Sequence, residues 1–148
     1  MTDIYGGEAY SIPEGITTIC DEAFRFCEGV SSVTIPNTVT TIGQGAFAEC
    51  YSLTSVSVPS SVTSIGSWAF SGIPNVQYTG TAIGAPWGAA YMNCYVEGKL
   101  VYQDSTRRNI VSCCRWCYGV TIPNTVTTIS DTAFYMCRGR YSVDLPNS

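Results

Sequence analysis

Apolar and polar positions return in one order every 23 residues along this chain, and each copy combines two different periodicities. In Leu53-x-x-Val56-x-Val58 apolar residues alternate with small polar ones, the period-two sign of a short strand. A proline then removes the amide that would continue the ladder: Pro13, Pro36 and Pro59 lie 23 apart, and Pro123 to Pro146 is again 23. A second apolar pair, Val62 and Ile65, turns inward on the next side, with Thr63 and Ser64 facing out. Gly43 and Gly66 are expected to permit a bend. After it come Ala46, Phe47 and Cys50, at i, i+1 and i+4 on one face of a short helical turn. Asp21, Ser67 and Asp131 precede that turn and are placed to cap it.

No single copy can bury its apolar face, so equivalent positions must stack into a continuous core. The expected fold is an α/β-type repeat solenoid, a right-handed coil with short parallel strands on one side and short helical turns on the opposite side. The pattern Ile-Pro-x-x-Val-Thr-x-Ile-Gly-x-x-Ala-Phe-x-x-Cys-x-x-Leu-x-x-Val-x-Ile is cleanest from Ile35 to Val58. It resembles the BspA-like, or Treponema pallidum type, class of leucine-rich repeats, over residues 10–80 and 95–146. The resemblance implies protein binding or adhesion at a microbial cell surface and brings no catalytic residues with it.

Between Pro59 and Pro123 lie 64 residues, five short of three whole repeats, so the register breaks in this span. The third copy places Ile73 in the slot otherwise held by cysteine, and the pattern dissolves after Val76 into a Gly-rich, aromatic passage. Cys94 to Tyr102 then reads as a hairpin turning at Glu97-Gly98-Lys99. Counting back from Pro123 puts Ile110 and Val111 where Ala and Phe stand elsewhere. The whole chain, 1–148, is thus one repeat domain: regular repeats over 10–80, an irregular hairpin-bearing insertion over 81–109, and resumed repeats over 110–148. Both ends read as open rungs, which predicts a segment of a longer array or end-to-end self-association.

Composition narrows the function classes. Charged residues are only 12% of the chain and the net charge is -4, which excludes the basic stripe that nucleic acid requires. No apolar run is long enough for a membrane-spanning helix, and the first residues lack a secretory signal pattern. The chain has no histidine, so Ser-His-Asp and Cys-His machinery cannot be assembled, and no phosphate loop occurs. The expectation is a non-enzyme with no cofactor and no metal.

Of the eight cysteines, Cys27, Cys50, Cys114 and Cys137 share one core slot and Cys117 takes the Leu slot. They are expected as free buried thiols. Cys20, Cys94 and Cys113 are the candidates for exposed or bridging thiols. Cys113-Cys114-x-x-Cys117 has a zinc-like spacing, but two of its members belong to the core.

Two surfaces remain for function. Outward strand positions form a lane of small polar groups: Ser32, Thr34, Ser55, Ser57, Thr121, Ser142 and Asp144. The insertion carries Tyr78, Trp87, Tyr91, Tyr95 and Tyr102, expected as an aromatic wall. The primary expectation is a protein-recognition or adhesion module, extracellular or at the cell surface. The alternatives are a glycan-binding module centred on the aromatic insertion and a structural spacer with no dedicated ligand.

Overall fold

The computed structural model describes residues 8–113, 120–134 and 143–144. It is a parallel β-solenoid. Each rung lays one strand on a front sheet, a second on a flanking sheet, and returns through tight turns. The front sheet holds Glu8–Ser11, Val30–Thr34, Ser55–Ser57, Asn75–Gln77 and Tyr91–Met92, all parallel and in chain order. The flanking sheet holds only the two-residue strands Thr18–Ile19, Thr41–Ile42 and Ser64–Ile65, paired Ile19 to Ile42 to Ile65. Strands this short make few bonds each. The ladder is long across the rungs instead of along the strand.

The return side departs from expectation. No helix occurs among the described residues, and 21–26 and 44–49 are successive turns. Their amides are used in alternation. Phe24 N–H and Phe26 N–H donate to Ala46 and Ala48 carbonyls of the next rung at 2.7 and 3.0 Å, while Ala23 and Arg25 close turns on their own rung. Phe47 N–H and Glu49 N–H repeat this toward Ala69 and Ser71, both at 2.8 Å. A helix would have kept those bonds within the segment, but a piece this short has little to gain from nucleating one. The alternation bends the chain into the left-handed region at Glu22, Phe26, Glu49 and Trp68, with φ between 57° and 62°. Such residues cannot belong to a right-handed helix.

Capping is redirected in the same way. Asp21 Oδ1 accepts from Gln44 N–H at 2.9 Å, so it serves the following rung, not its own turn. At the corners, hydroxyls close carbonyls that the ladder leaves open. Thr38 donates to Ile16 O at 2.8 Å, Ser61 to Val39 O at 2.8 Å and Ser52 to Glu28 O at 2.5 Å. Part of the Ser and Thr content is explained by such carbonyls.

Inside, Ile12, Ile35, Val58 and Tyr78 stack in one column and Ile19, Ile42 and Ile65 in another. Phe24, Phe47 and Phe70 form a third, with ring centroids 5.1 and 5.9 Å apart and planes within 12°. Leu53, Val56 and Val39 are fully buried beside them. A second cluster, Leu100, Tyr102, Ile110, Cys113, Val120, Ile122 and Ala133, fills the later rungs. The hairpin of the insertion, Tyr95–Glu97 with Leu100–Tyr102, pairs antiparallel to Asn109–Cys113, which pairs parallel to Thr128–Ile129. Val120–Thr121 pairs with Val143–Asp144.

The insertion is a shortened rung, and its register differs from the count. Ser55 and Val56 pair with Asn75 and Val76, which puts Ile73 in the place of Leu53, not in the cysteine slot. Phe70 N–H donates to Trp87 O as Phe47 does to Ala69, so Trp87 follows Ala69 after only 18 residues. Asn109 and Ile110 pair with Thr128 and Ile129, so they occupy the flanking-strand slot and not the Ala-Phe slot.

Glycine at 43 and 66 is required by contact and not by bending. A Cβ on Gly66 would lie 2.4 Å from Gln44 N and 2.7 Å from Gln44 Cα; one on Gly43 would lie 2.5 Å from Asp21 N. These are backbone atoms of the rung beneath. Gly66→Ala should therefore cost about 1–3 kcal/mol, read as a lowered urea midpoint, whereas Gly29→Ala, with nothing within 4 Å of its Cβ, should change stability by less than about 0.5 kcal/mol. Equal effects at the two sites would contradict the contact explanation.

Candidate binding site

The front-sheet register brings the outward residues into line. Ser11 pairs with Thr34, Thr34 with Ser57, and Ser57 with Gln77, one group per rung. At roughly 4.8 Å per rung this is a straight row. Ser11, Ser32, Thr34 and Ser57 are exposed. Unlike the corner hydroxyls, theirs donate to nothing among the described residues. Ser55 is different: it accepts from Asn75 Nδ2 at 3.1 Å, and Asn75 Oδ1 accepts from Cys94 N–H at 3.2 Å. Asn75 is fully buried. The chain beyond Met92 therefore crosses over the outward face of the sheet and closes the row at its far end.

Asn93 ends the ladder. Its Oδ1 accepts from Tyr78 N–H at 2.7 Å and its Nδ2 donates to Tyr78 O at 2.8 Å, so one side chain replaces a neighbouring strand. Thr121 is exposed and pairs with Asp144 on the later two-stranded sheet. Ser142 lies outside the described residues, and of Asp144 only the backbone pairing is described.

The aromatic residues do not form the expected wall. Tyr78, Trp87 and Tyr102 are 3%, 4% and 1% exposed and belong to the core. Tyr78 takes the column position of Ile12, Ile35 and Val58, with its hydroxyl donating to Val62 O at 2.6 Å and accepting from Ala82 N–H at 2.9 Å. Trp87 caps the phenylalanine column, 6.2 Å from Phe70 and 5.5 Å from Tyr78, edge to face in both contacts. Aromatic rings were needed here because the shortened rung has fewer residues with which to cover Phe70. Tyr91 is half-buried, and Tyr95, at 36% exposed, is the member of the set that most faces solvent. Tyr95 was foreseen. Gln77, Gln103 and Asp104 stand around Tyr95, and the sequence does not single them out, since isolated polar residues carry no periodic signal.

Cys20, Cys27, Cys50 and Cys94 are free, as expected for Cys27 and Cys50, and Cys113 is disulfide-bonded. Cys114, Cys117 and Cys137 lie outside the described residues. Among the described residues no group of three or more His, Cys, Asp or Glu side chains converges on one point, and no helix is long and apolar enough to cross a membrane.

The repeated rung, the parallel ladder and the inward Ile and Phe columns define a leucine-rich-repeat solenoid. The model of the BspA type leucine rich repeat region matches in six copies, over residues 7–81 and 105–148. The chain belongs to that family. Two solved structures are similar to it: a leucine rich cell surface protein from Faecalibacterium prausnitzii, 28% identical, TM-score 0.46, covering 94% of this chain and 35% of that one, and a leucine-rich repeat protein from Eubacterium ventriosum, 20% identical, TM-score 0.40, covering 92% and 47%. The chain thus spans less than half the length of either. No curated protein matches it.

Three outcomes follow from this geometry. Tyr78→Phe strands a buried carbonyl and amide and should cost about 1–3 kcal/mol, measured by urea unfolding; a change no larger than that of Tyr95→Phe would show that the Tyr78 hydroxyl is not held as described. Cys50 donates to Phe24 O at 2.9 Å, and burial pushes its thiol from 9.0 up to about 11. The folded protein holds that proton more tightly than the unfolded chain does. The stability it contributes is complete below pH 9.0 and is lost as pH rises through about 11. The urea midpoint should decline across that window, less steeply in Cys50→Ala. At pH 8 a thiol reagent should modify Cys20 in the native protein and Cys50 only after unfolding.

Proposed function

We propose that the chain is a non-catalytic recognition or adhesion module of a microbial surface or secreted protein, and that it engages a protein partner through the outward row of the front sheet. The observation that carries this reading is the contrast between two sets of hydroxyls. Those at the corners are spent on backbone carbonyls, while Ser11, Ser32, Thr34 and Ser57 stand exposed on a rigid ladder with no internal partner among the described residues. Unspent donors on a pre-ordered surface lose little conformational entropy on binding. No Lys or Arg belongs to the row, so long-range charge would contribute little to association. The disulfide at Cys113 supports an oxidising, extracellular setting, and family membership supports a binding role. A second copy of the chain stacked on an end rung is a further partner of this kind.

The test is adherence of the purified module to a panel of immobilised extracellular proteins and to cell surfaces. Thr34→Lys and Ser57→Lys together should reduce binding at least about ten-fold, equivalent to about 1.4 kcal/mol, while Thr63→Lys on the flanking side should leave it unchanged. If the double substitution leaves every binding activity intact, the assignment to the front sheet is wrong.

A further inference from the structure

Where the outward row meets the insertion there is an open cleft of about 630 Å³, with Ser57 and Gln77 on one wall and Tyr95, Gln103, Asp104 and Ser105 on the other. Its size lies in the range of small-ligand sites. The polar groups in it are held in place. Gln77 donates its Nε2 to the Cys94 carbonyl, which leaves Oε1 as a fixed acceptor. Gln103 is set the opposite way: Oε1 accepts from Asn109 Nδ2 at 2.8 Å, which leaves Nε2 as a donor. Asp104 Oδ1 accepts from Thr106 N–H at 3.0 Å and from its hydroxyl at 2.5 Å, bonds that keep the carboxyl below its ordinary pKa and ionised at neutral pH. Tyr95 is fixed by Tyr102, 6.2 Å between ring centroids, and by donation to Glu97 Oε1 at 3.3 Å. Arg107 is spent on Glu97 at 3.0 Å, and no Lys or Arg lines the cleft.

A matching ligand must donate and accept within a few ångströms, carry no negative charge, and offer an apolar face to one aromatic ring. Vicinal hydroxyls do the first, since each both donates and accepts. The C–H face of a pyranose ring does the last. An anionic sugar would meet Asp104 with no cation to offset it, and an extended peptide has no adjacent hydroxyl pair. We propose that this cleft binds one unit of a neutral saccharide, with Asp104 and Gln77 accepting from ring hydroxyls, Gln103 donating, and Tyr95 against the ring face. The cleft takes in Ser57 and Gln77 at the end of the row but not Thr34.

The experiment applies the whole chain to a printed array of neutral and anionic glycans, then titrates the bound neutral glycan by calorimetry into the unaltered protein and its variants. At least one neutral glycan should bind. Gln103→Ala and Asp104→Asn should each weaken it roughly ten-fold without changing the melting temperature, and Asp104→Asn keeps the oxygen that Thr106 uses. Thr34→Lys should leave glycan binding unchanged even where it abolishes protein adherence, which separates failure of the two readings. A surface blank for neutral glycans, binding confined to sialylated or sulfated ones, or binding indifferent to both substitutions would overturn the proposal.

Discussion

The structure depends on a backbone hydrogen bond that leaves its own rung. On the front side Ile12 N–H reaches Thr34 O at 3.0 Å, on the flank Gly43 N–H reaches Ile19 O at 2.7 Å, and on the return side Glu22 N–H reaches Gln44 O at 2.8 Å. Each rung therefore satisfies its neighbour, and no rung is complete by itself. Strands of two residues, turns with left-handed residues and a shortage of charge are all tolerable because bonding accumulates across the stack. The same demand explains part of the sequence bias toward Ser and Thr: where a corner turns a carbonyl away from the ladder, a short hydroxyl from the adjacent rung reaches it.

The insertion solves a problem posed by the phenylalanine column. Phe70 needs a ring above it, yet the rung that follows is five residues shorter between Ala69 and Trp87 than a regular one. Trp87 and Tyr78 supply large surfaces from few residues, and Asn93 closes the ladder with a side chain in place of a strand. Freed from the ladder, the chain crosses the front of the sheet and builds a hairpin there. The cleft is a by-product of that crossing. At this rung the flat face becomes a concave one.

Most of the regular array was legible in the prolines and in the Ile and Ala-Phe spacing, because one residue per slot was reused with little variation. The insertion was not legible by counting, because counting assumes a constant period. Its signal was there in another form: Ile73-x-x-Val76-x-Tyr78 repeats the alternation of Leu53-x-x-Val56-x-Val58, which would have placed Tyr78 inside. Arg108-Asn109-Ile110 keeps only the isoleucine of Thr17-Thr18-Ile19, too little to mark a flanking strand. The expected helical turns followed from side-chain facing alone. That i, i+1, i+4 set also faces inward on a chain of turns, so the pattern reported burial and not hydrogen bonding. Of the proposed site, Thr34, Ser57 and Tyr95 were visible as outward or aromatic positions, whereas Gln103 and Asp104 depend on where a loop falls.

The glycine contact gives the array a direction for growth by duplication. Gly43 and Gly66 each sit against backbone of the rung before them, with no room for a Cβ. Cys20 holds the same slot in the first described rung, and Ser130 holds it over residues 109–113, where the chain beneath stays extended as a strand and does not turn. An in-frame copy of residues 43–65 carries its own glycine and can be inserted after residue 42 or after residue 65, where the unit that follows also begins with glycine. A copy of residues 20–42 would set Cys20 against Asp21 of the unit below. Unequal crossing-over in a gene of this kind is thus filtered by a single hydrogen atom, and lengthening of the array is expected to draw on its interior units.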